Sequence, residues 1–368
     1  MVHFSSLVTG LAGLATIVSA HPGHDVKAEA AERRAALNNI QTRGLSAQCA
    51  TQLKARGVEA ANVARRDAML QKVRKARGLT GPLKARDTAP LNESHHSDLA
   101  VDLNTDPSEL FASGGTCVLA EDVTQGPYYV SGELIRKDLT EDQQGVPLYL
   151  DIQLVDSSSC EPLPDVYLDF WHCNSTGVYS GVNAQGNGNS DDTSNIDSTF
   201  LRGLQKTDAD GVAEFVTTFP GHYTGRATHI HVLSHPANET TVNSNDTISG
   251  LYTSTASHVG QIFFDQDLIS LVEETEVYAT NTQELTTNAE DNILLQELED
   301  DIDPFVEYVL LGEDVTDGVF AWINVVVDSS ESSSVTPAAY YTEEGGVENE
   351  NSGMGGGGGA PPGGAPPS

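Results

Sequence analysis

Short alternating segments separated by turn residues dominate the chain from about residue 116, and they limit its possible folds more than any other feature. Apolar and polar residues alternate with a period of two in VPLYLDIQLVD, GVAEFVTTFP and ATHIHVLSH. Clusters of Gly, Pro, Asn, Asp and Ser separate these segments. A strand with one face on a core and the other in solvent has this alternation. We therefore predict a mainly β domain over residues 116–335, with an antiparallel β-sandwich core.

The two ends of the chain differ in composition from this domain. Residues 1–20 hold a short apolar run that ends in small residues, which predicts a signal peptide. Residues 21–90 are rich in Ala, Arg and Lys and predict a basic helical segment, either an arm on the domain or, given its dibasic pairs, a removable pro-segment. Residues 91–115 are polar and predict a linker. Residues 336–368 predict a disordered, acidic, Gly/Pro-rich tail.

Cysteines and glycosylation motifs agree with a secreted, extracellular protein. An even number of cysteines permits two disulfides, with three pairings that the sequence does not separate. The cysteines are Cys49, Cys117, Cys160 and Cys173. Sequons of the N-x-S/T type predict a glycoprotein. They lie at Asn92, Asn174, Asn238 and Asn245.

Charge divides the chain sharply and excludes some partners. Fourteen of the 19 basic residues lie between Lys27 and Arg86, whereas 47 of the 53 acidic residues follow residue 90. Phosphate groups would be repelled by the anionic body. We therefore expect neither a nucleic-acid partner nor a membrane surface.

The segment FPGHYTGRATHIHV predicts a metal site. His229 and His231 are two residues apart, so a strand directs both imidazoles to one face, which is half of a metal site. The strand contains no Asp, Glu or Cys to complete it, and the nearest potential ligands are His222 and Tyr223. Phenols bind metals well only when ionised, which a trivalent cation promotes. A site built from His and Tyr, with Tyr179 as a further candidate upstream, therefore points to Fe(III).

Four blocks in order carry a family resemblance: EDVTQGPYYVSGELIRKDLTED, DFWHCNSTGVYSG, FPGHYTGRATHIHV and GQIFFD. Together they resemble the intradiol ring-cleavage dioxygenases, the catechol and protocatechuate 3,4-dioxygenase family, and are most similar to its secreted fungal branch. The resemblance spans roughly residues 117–265. Matched position by position, it implies non-haem Fe(III) held by Tyr179, Tyr223, His229 and His231.

The same resemblance implies a reaction and further roles. Arg226 and Gln261 match active-site residues, and Tyr223 acts in catalysis as well as in metal binding. The loop from Thr124 to Tyr128 resembles one that forms part of the substrate wall, so Thr124 and Pro127 are expected to bind substrate together with Arg226. The implied reaction uses O2 to cleave a small catechol between its two hydroxylated carbons, giving a cis,cis-muconate-type diacid.

Two alternatives remain from the sequence. A secreted β-sandwich protein that binds a metal or a phenol without turnover would carry the same ligands. Cleavage after Ala20 would also leave His21 at the amino terminus, where it can chelate copper. The helical N-terminal segment is, in addition, a candidate dimer arm, so the oligomeric state is open between monomer and homodimer.

Overall fold

The computed structural model describes residues 49, 51–81, 111, 116–117 and 126–352, the last range with gaps. The gaps are at 185, 190, 237–239, 251–254, 257, 300–302 and 331–332. The predicted signal peptide, nearly all of the predicted linker and the end of the predicted tail lie outside these residues. Within them, no helix is both long and apolar enough to cross a membrane.

Strands make up most of the domain, and α-helices accompany them. The strands are β1 Thr116–Cys117, β2 Val130–Ser131, β3 Pro147–Asp156, β4 Val166–Trp171, β5 Arg202–Lys206, β6 Val212–Thr218, β7 His229–Pro236, β8 Thr240–Val242, β9 Ile248–Gly250, β10 Thr255–Ala256, β11 His258–Phe263, β12 Glu307–Leu310, β13 Val319–Val327, β14 Ser333–Ser334, β15 Ala339–Thr342 and β16 Gly345–Glu348. The helices are α1 Val58–Ala76, α2 Gln266–Glu273 and α3 Asn292–Glu299.

Two sheets form the predicted sandwich. One has the order β11-β7-β4-β5 and is antiparallel throughout. The other has the order β1-β13-β3-β6, with β12 also paired to β13. The mainly β prediction is thus confirmed, with one difference. The second sheet is mixed, because β13 runs parallel to both β1 and β3.

The core lies between the two sheets. Alternate residues of β3, such as Leu148 and Leu150, point inward and share one buried cluster with residues of β4 and β7. Phe170 of β4 stacks on Phe215 of β6, with ring centroids 4.4 Å apart. Burial of such aromatic and branched side chains supplies most of the stabilisation of a sandwich.

Helix α1 covers the outer face of the mixed sheet. The carboxylate of Asp151, on β3, is buried and accepts hydrogen bonds from the guanidinium groups of both Arg65 and Arg66. A disulfide between Cys49 and Cys160 joins the segment before α1 to the domain. These contacts attach α1 to the domain, as an arm would be, and they engage Arg65 and Arg66, one of the two dibasic pairs that suggested processing. The other pair, Arg33 and Arg34, lies outside the described residues.

Two predictions from the sequence need correction. The region predicted as a disordered tail from residue 336 begins with a hairpin, β15 and β16, because alternating residues such as Ala339 and Tyr341 pack on the domain. The even cysteine count also suggested two disulfides, but Cys173 is a free, buried thiol whose Sγ donates to the carbonyl of Gly221.

Candidate functional site

Strand β7 places the two predicted histidine ligands side by side. His229 and His231 point to the same face, and their Nε2 atoms lie 3.0 Å apart. Trp171, the cross-strand neighbour of His231 on β4, stacks flat on its imidazole at 4.9 Å and 3°. This stacking fixes the plane of the His231 ring.

The tautomer of His229 follows from its backbone contact. Its Nδ1 lies 2.6 Å from the carbonyl oxygen of Ala227, which can only accept a hydrogen bond. Nδ1 therefore carries the proton and donates it, so the lone pair of the neutral ring is on Nε2. A carbonyl partner of this kind commonly orients a metal-binding histidine.

Both predicted tyrosine ligands reach the histidine pair. Tyr223, in the loop before β7, places its hydroxyl oxygen 3.4 Å from Nε2 of His229. Tyr179 follows β4, and its ring centroid lies 5.7 Å from that of Tyr223 and 6.1 Å from that of His231. The structure thus brings together all four residues that the sequence singled out as iron ligands.

The four side chains are sealed from solvent, each at most 4% exposed. Burial raises the pKa of the Tyr179 hydroxyl well above its usual value, and the neighbouring Tyr223 phenol adds to this. Burial likewise raises the pKa of Tyr223, although the charge of Arg226 opposes the shift. Both phenols are therefore protonated unless a strong cation ionises them.

This donor set fits Fe(III). The Tyr179 hydroxyl is buried and, within the described residues, lacks a well-formed hydrogen bond, its polar neighbour being the Tyr223 phenol; this is costly for a polar group unless something else binds it. Within the described residues, no group of three or more His, Cys, Asp or Glu side chains is placed to hold a metal ion. Two imidazoles completed by two phenols are a hard, anionic donor set once ionised, which suits a trivalent cation better than zinc.

The backbone of Tyr179 is fixed by two buried asparagines. Its N–H donates to Oδ1 of Asn187, and its carbonyl accepts from Nδ2 of Asn187 and of Asn195, each at 2.8 Å. The preceding turn is closed by Asn174, whose Oδ1 accepts the N–H of Val178. The two asparagine supports could not be predicted from the sequence, because they lie 8 and 16 residues further along the chain.

Arg226 lies beside the site, within an ion pair that the sequence analysis missed. Its Nε lies 2.9 Å from Oδ2 of Asp291, and its Nη2 donates to Oε1 of Gln261. Burial opposes ionisation of Asp291, yet the charge of Arg226 and the backbone hydrogen bonds from Ala227 and Leu294 lower the pKa of its carboxyl. Asp291 also accepts the N–H of Leu294 in the first turn of α3. The sequence did contain a signal for Asp291, because Asp is a preferred N-cap and this one directly precedes an apolar helical stretch.

Gln261 is oriented by that contact. Because its Oε1 accepts from Arg226, its Nε2 points the other way, where it is buried and has no hydrogen-bond partner among the described residues. On β11, Gln261 is the cross-strand neighbour of His231. An amide donor of this kind beside the histidines can bind an oxygen of a substrate.

The predicted substrate loop is described only in part. Thr124 lies outside the described residues, whereas Pro127 is buried in a turn between Gly126 and Tyr128. Gly126 has φ +72°, and a Cβ there would lie 2.8 Å from Cε1 of His231. Tyr128 stacks on Tyr179 at 4.6 Å. The loop therefore packs directly on two of the four predicted ligands.

His222 does not join the cluster. Its Nδ1 lies 2.8 Å from a carboxylate oxygen of Glu273 and its Nε2 lies 3.0 Å from the carbonyl oxygen of Gln283. Burial opposes its protonation, but these acceptors raise its pKa. His222 therefore has a structural role, because it links the loop before β7 to α2.

Fold and site together define a class of protein: a β-sandwich domain with a buried centre of two histidines and two tyrosines. Residues 124–292, a little less than half of the chain, match a family model described as "Dioxygenase". Over this segment the chain is similar to the dioxygenases that the family model describes, in agreement with the resemblance to intradiol ring-cleavage dioxygenases that the sequence motifs predicted.

Several solved structures are similar to this chain. An intradiol ring-cleavage dioxygenase from Tetranychus urticae is 25% identical, over 58% of this chain and 96% of that chain, with a TM-score of 0.46. The 3-chlorocatechol 1,2-dioxygenase of Rhodococcus opacus is 15% identical, over 59% and 75%, with a TM-score of 0.34. The hydroxyquinol 1,2-dioxygenase of Pseudomonas putida is 18% identical, over 57% and 66%, with a TM-score of 0.33.

All three TM-scores are below 0.5, so the similarity to the dioxygenase family rests on the family model and on the sequence motifs. Among curated proteins, none matches the chain significantly.

Proposed function

We propose that the protein is an extracellular, non-haem Fe(III) dioxygenase that cleaves a catechol between its two hydroxylated carbons. The product would be a cis,cis-muconate-type diacid, and both atoms of O2 would enter it. One observation supports this more than any other: two buried phenols converge on two imidazoles, and within the described residues the hydroxyl of Tyr179 has no polar neighbour but the Tyr223 phenol to satisfy it.

Four side chains would hold the metal: Tyr179, Tyr223, His229 and His231. Fe(III) in this position would ionise the phenols and draw electron density from a chelated catecholate, which allows the ring to react with O2. The tautomer of His229 already directs the lone pair of Nε2 toward the ring of Tyr223 and toward His231.

Tyr223 is the residue suited to move a proton. Its hydroxyl oxygen lies at the edge of the cluster, 3.4 Å from Nε2 of His229. The raised pKa of the buried phenol favours its neutral form. When a catechol binds, the Tyr223 oxygen would therefore accept one of the protons that the substrate must release.

Arg226 and Gln261 would stabilise the negative charge that develops on the substrate oxygens. Asp291 fixes the guanidinium, so these donors need no rearrangement when charge develops. Preorganised donors in a site without water contribute about two to three orders of magnitude in rate. The free Nε2 of Gln261 is the donor available to a substrate oxygen.

An extracellular location is part of the proposal. The arm is fixed by a disulfide, which is stable in oxidising compartments. The apolar, small-residue start of the sequence supports the same location.

The test is to load the purified protein with Fe(III) and record its visible absorption and its O2 uptake with catechol and hydroxyquinol. We expect a tyrosinate-to-iron absorption band and stoichiometric O2 uptake. Tyr179→Phe should abolish the band and the uptake, whereas Tyr167→Phe, a buried tyrosine on β4 outside the site, should leave both unchanged. A colourless, inert loaded protein would refute the proposal, and a coloured but inert one would support metal or phenol binding without turnover.

A further inference from the structure

The C-terminal hairpin, β15 with β16, packs on the loop that leads out of the site. Strand β15 pairs in parallel with β2, and the N–H of Ala338 donates to the carbonyl of Tyr129 at 2.7 Å. Tyr129 directly follows Tyr128, the residue that stacks on Tyr179. The hairpin thus extends the short strand that ends the substrate loop.

The second strand of the hairpin packs on a different segment. The N–H of Gly346 donates to Oδ1 of Asp197 at 2.9 Å. Asp197 ends a 3-10 turn, Thr193–Asp197. A Cβ at Gly346 would overlap the carbonyl oxygen of Ile196, so only glycine permits this approach.

Both contacted segments support the same residue. The 3-10 turn contains Asn195, whose Nδ2 donates to the carbonyls of Tyr179 and Val182 at 2.8 Å each. Tyr128 stacks on the Tyr179 ring from the other segment at 4.6 Å. The hairpin therefore contacts both segments that support Tyr179: the 3-10 turn, which binds its backbone, and the segment of Tyr128, which stacks on its ring.

We propose that the hairpin β15–β16 is a positioning element for Tyr179. It joins the 3-10 turn to the strand after the substrate loop and holds the Tyr179 phenol where it can complete the centre with Tyr223, His229 and His231. The two main sheets are hydrogen-bonded without β15 or β16, and the hairpin adds Ala339 to the edge of their buried core. This proposal deepens the proposed function and rests on it for the metal.

The test compares Gly346→Val with Val347→Thr in the full-length protein. Val347 is half exposed on the same strand, so threonine keeps its shape and should change nothing. Gly346→Val should raise amide hydrogen exchange at residues 179–182 of the metal-free protein at least tenfold, while exchange in β3 and β13 stays unchanged. In the loaded protein it should shift or weaken the tyrosinate band and weaken Fe(III) retention against a chelator at least tenfold.

A milder pair of variants covers the case in which Gly346→Val does not fold. Asp197→Ala removes the acceptor for Gly346, and Asp197→Asn keeps an oxygen there and should restore the wild-type exchange and absorption. Unchanged exchange at residues 179–182 in Asp197→Ala, with the hairpin amides themselves exchanging faster, would overturn the proposal. The exchange measurement needs no metal, so it still decides the role of the hairpin if the wild-type protein fails to bind iron.

Discussion

The guanidinium of Arg226 and the carboxylate of Asp291, 65 residues apart in sequence, form a buried ion pair with an Nε–Oδ2 distance of 2.9 Å. The same carboxylate accepts the N–H of Ala227, two residues before the first histidine of the site, and caps α3. Asp291 therefore fixes the arginine, the start of β7 and a helix at once.

Replacing Asp291 by Asn should be strongly destabilising and should lower activity. Asn keeps an oxygen for the helix cap but leaves Arg226 buried without its counter-charge, which costs about 3–5 kcal/mol. Urea unfolding measures the loss in the free energy of unfolding. Asp314→Asn is the matched control, because Asp314 is an exposed N-cap and its replacement should cost less than about 1 kcal/mol. Equal effects of the two variants would contradict the role given to the ion pair.

Replacing Gln261 by Leu should lower kcat by about two orders of magnitude while leaving the iron absorption band in place, because the change removes a donor to the substrate and no metal ligand. Stopped-flow spectra and O2 uptake with catechol measure the two quantities. Gln205→Leu, on β5 away from the site, should leave kcat at the wild-type value. A lost band in Gln261→Leu would show instead that the residue supports the metal centre.

Glu133 should make the folded state less stable as the pH rises. Burial raises the pKa of its carboxyl to about 8, although Arg202 at 3.8 Å opposes the shift. The unfolded chain releases this proton near 4.5, so the stabilisation is complete below that pH and is lost as the pH rises to about 8.

The measurement for Glu133 is the melting temperature between pH 4.5 and 8.5. The difference between Glu133→Gln and the wild-type protein should grow in favour of the variant as the pH rises. Glu161→Gln, at an exposed position, should show no such trend. A difference that does not change with pH would mean that Glu133 is ionised throughout.

Loss of the Cys49–Cys160 disulfide should destabilise the attachment of the arm. The bond closes a loop of sequence separation 111, and removal of a native disulfide costs about 2–5 kcal/mol. Cys49→Ser should therefore lower the melting temperature, as should a reductant added to the wild-type protein. The reductant should have no further effect on Cys49→Ser, and a second drop would point to another reducible bond.

Expression in a eukaryotic secretory host should glycosylate Asn245 and leave Asn174 unmodified. Asn245 is exposed in the turn between β8 and β9, whereas the Asn174 side chain accepts from the N–H of Val178 and donates to Gln143. Peptide mass spectrometry before and after glycosidase treatment reads both sites in one sample. Occupancy at Asn174 would mean that the turn before Tyr179 forms only after glycosylation.

Local order predicted the sandwich, whereas the full set of site side chains was predicted from the resemblance to a known family. Period-two alternation determines which side of a strand is buried, and spacing alone places His229 and His231 on one face of β7. The segment around β7 offers two imidazoles and a tyrosine but no carboxylate within the strand. These residue types predicted Fe(III) from the sequence.

Contacts between distant segments could not be predicted in this way. No short-range pattern connects the residues that these contacts join. Examples are the disulfide of Cys49 with Cys160, the ion pair of Arg226 with Asp291 and the asparagine supports of Tyr179. The hairpin after residue 336 was missed for the same reason. Its strands are stabilised by β2 and by the 3-10 turn, so their sequence alone resembles a polar tail.

The sequence by itself therefore determined the class of fold and the types of side chain that the site brings together. Only the tertiary structure decided how those side chains are held, because buried hydrogen bonds and ion pairs form between segments that come together when the chain folds.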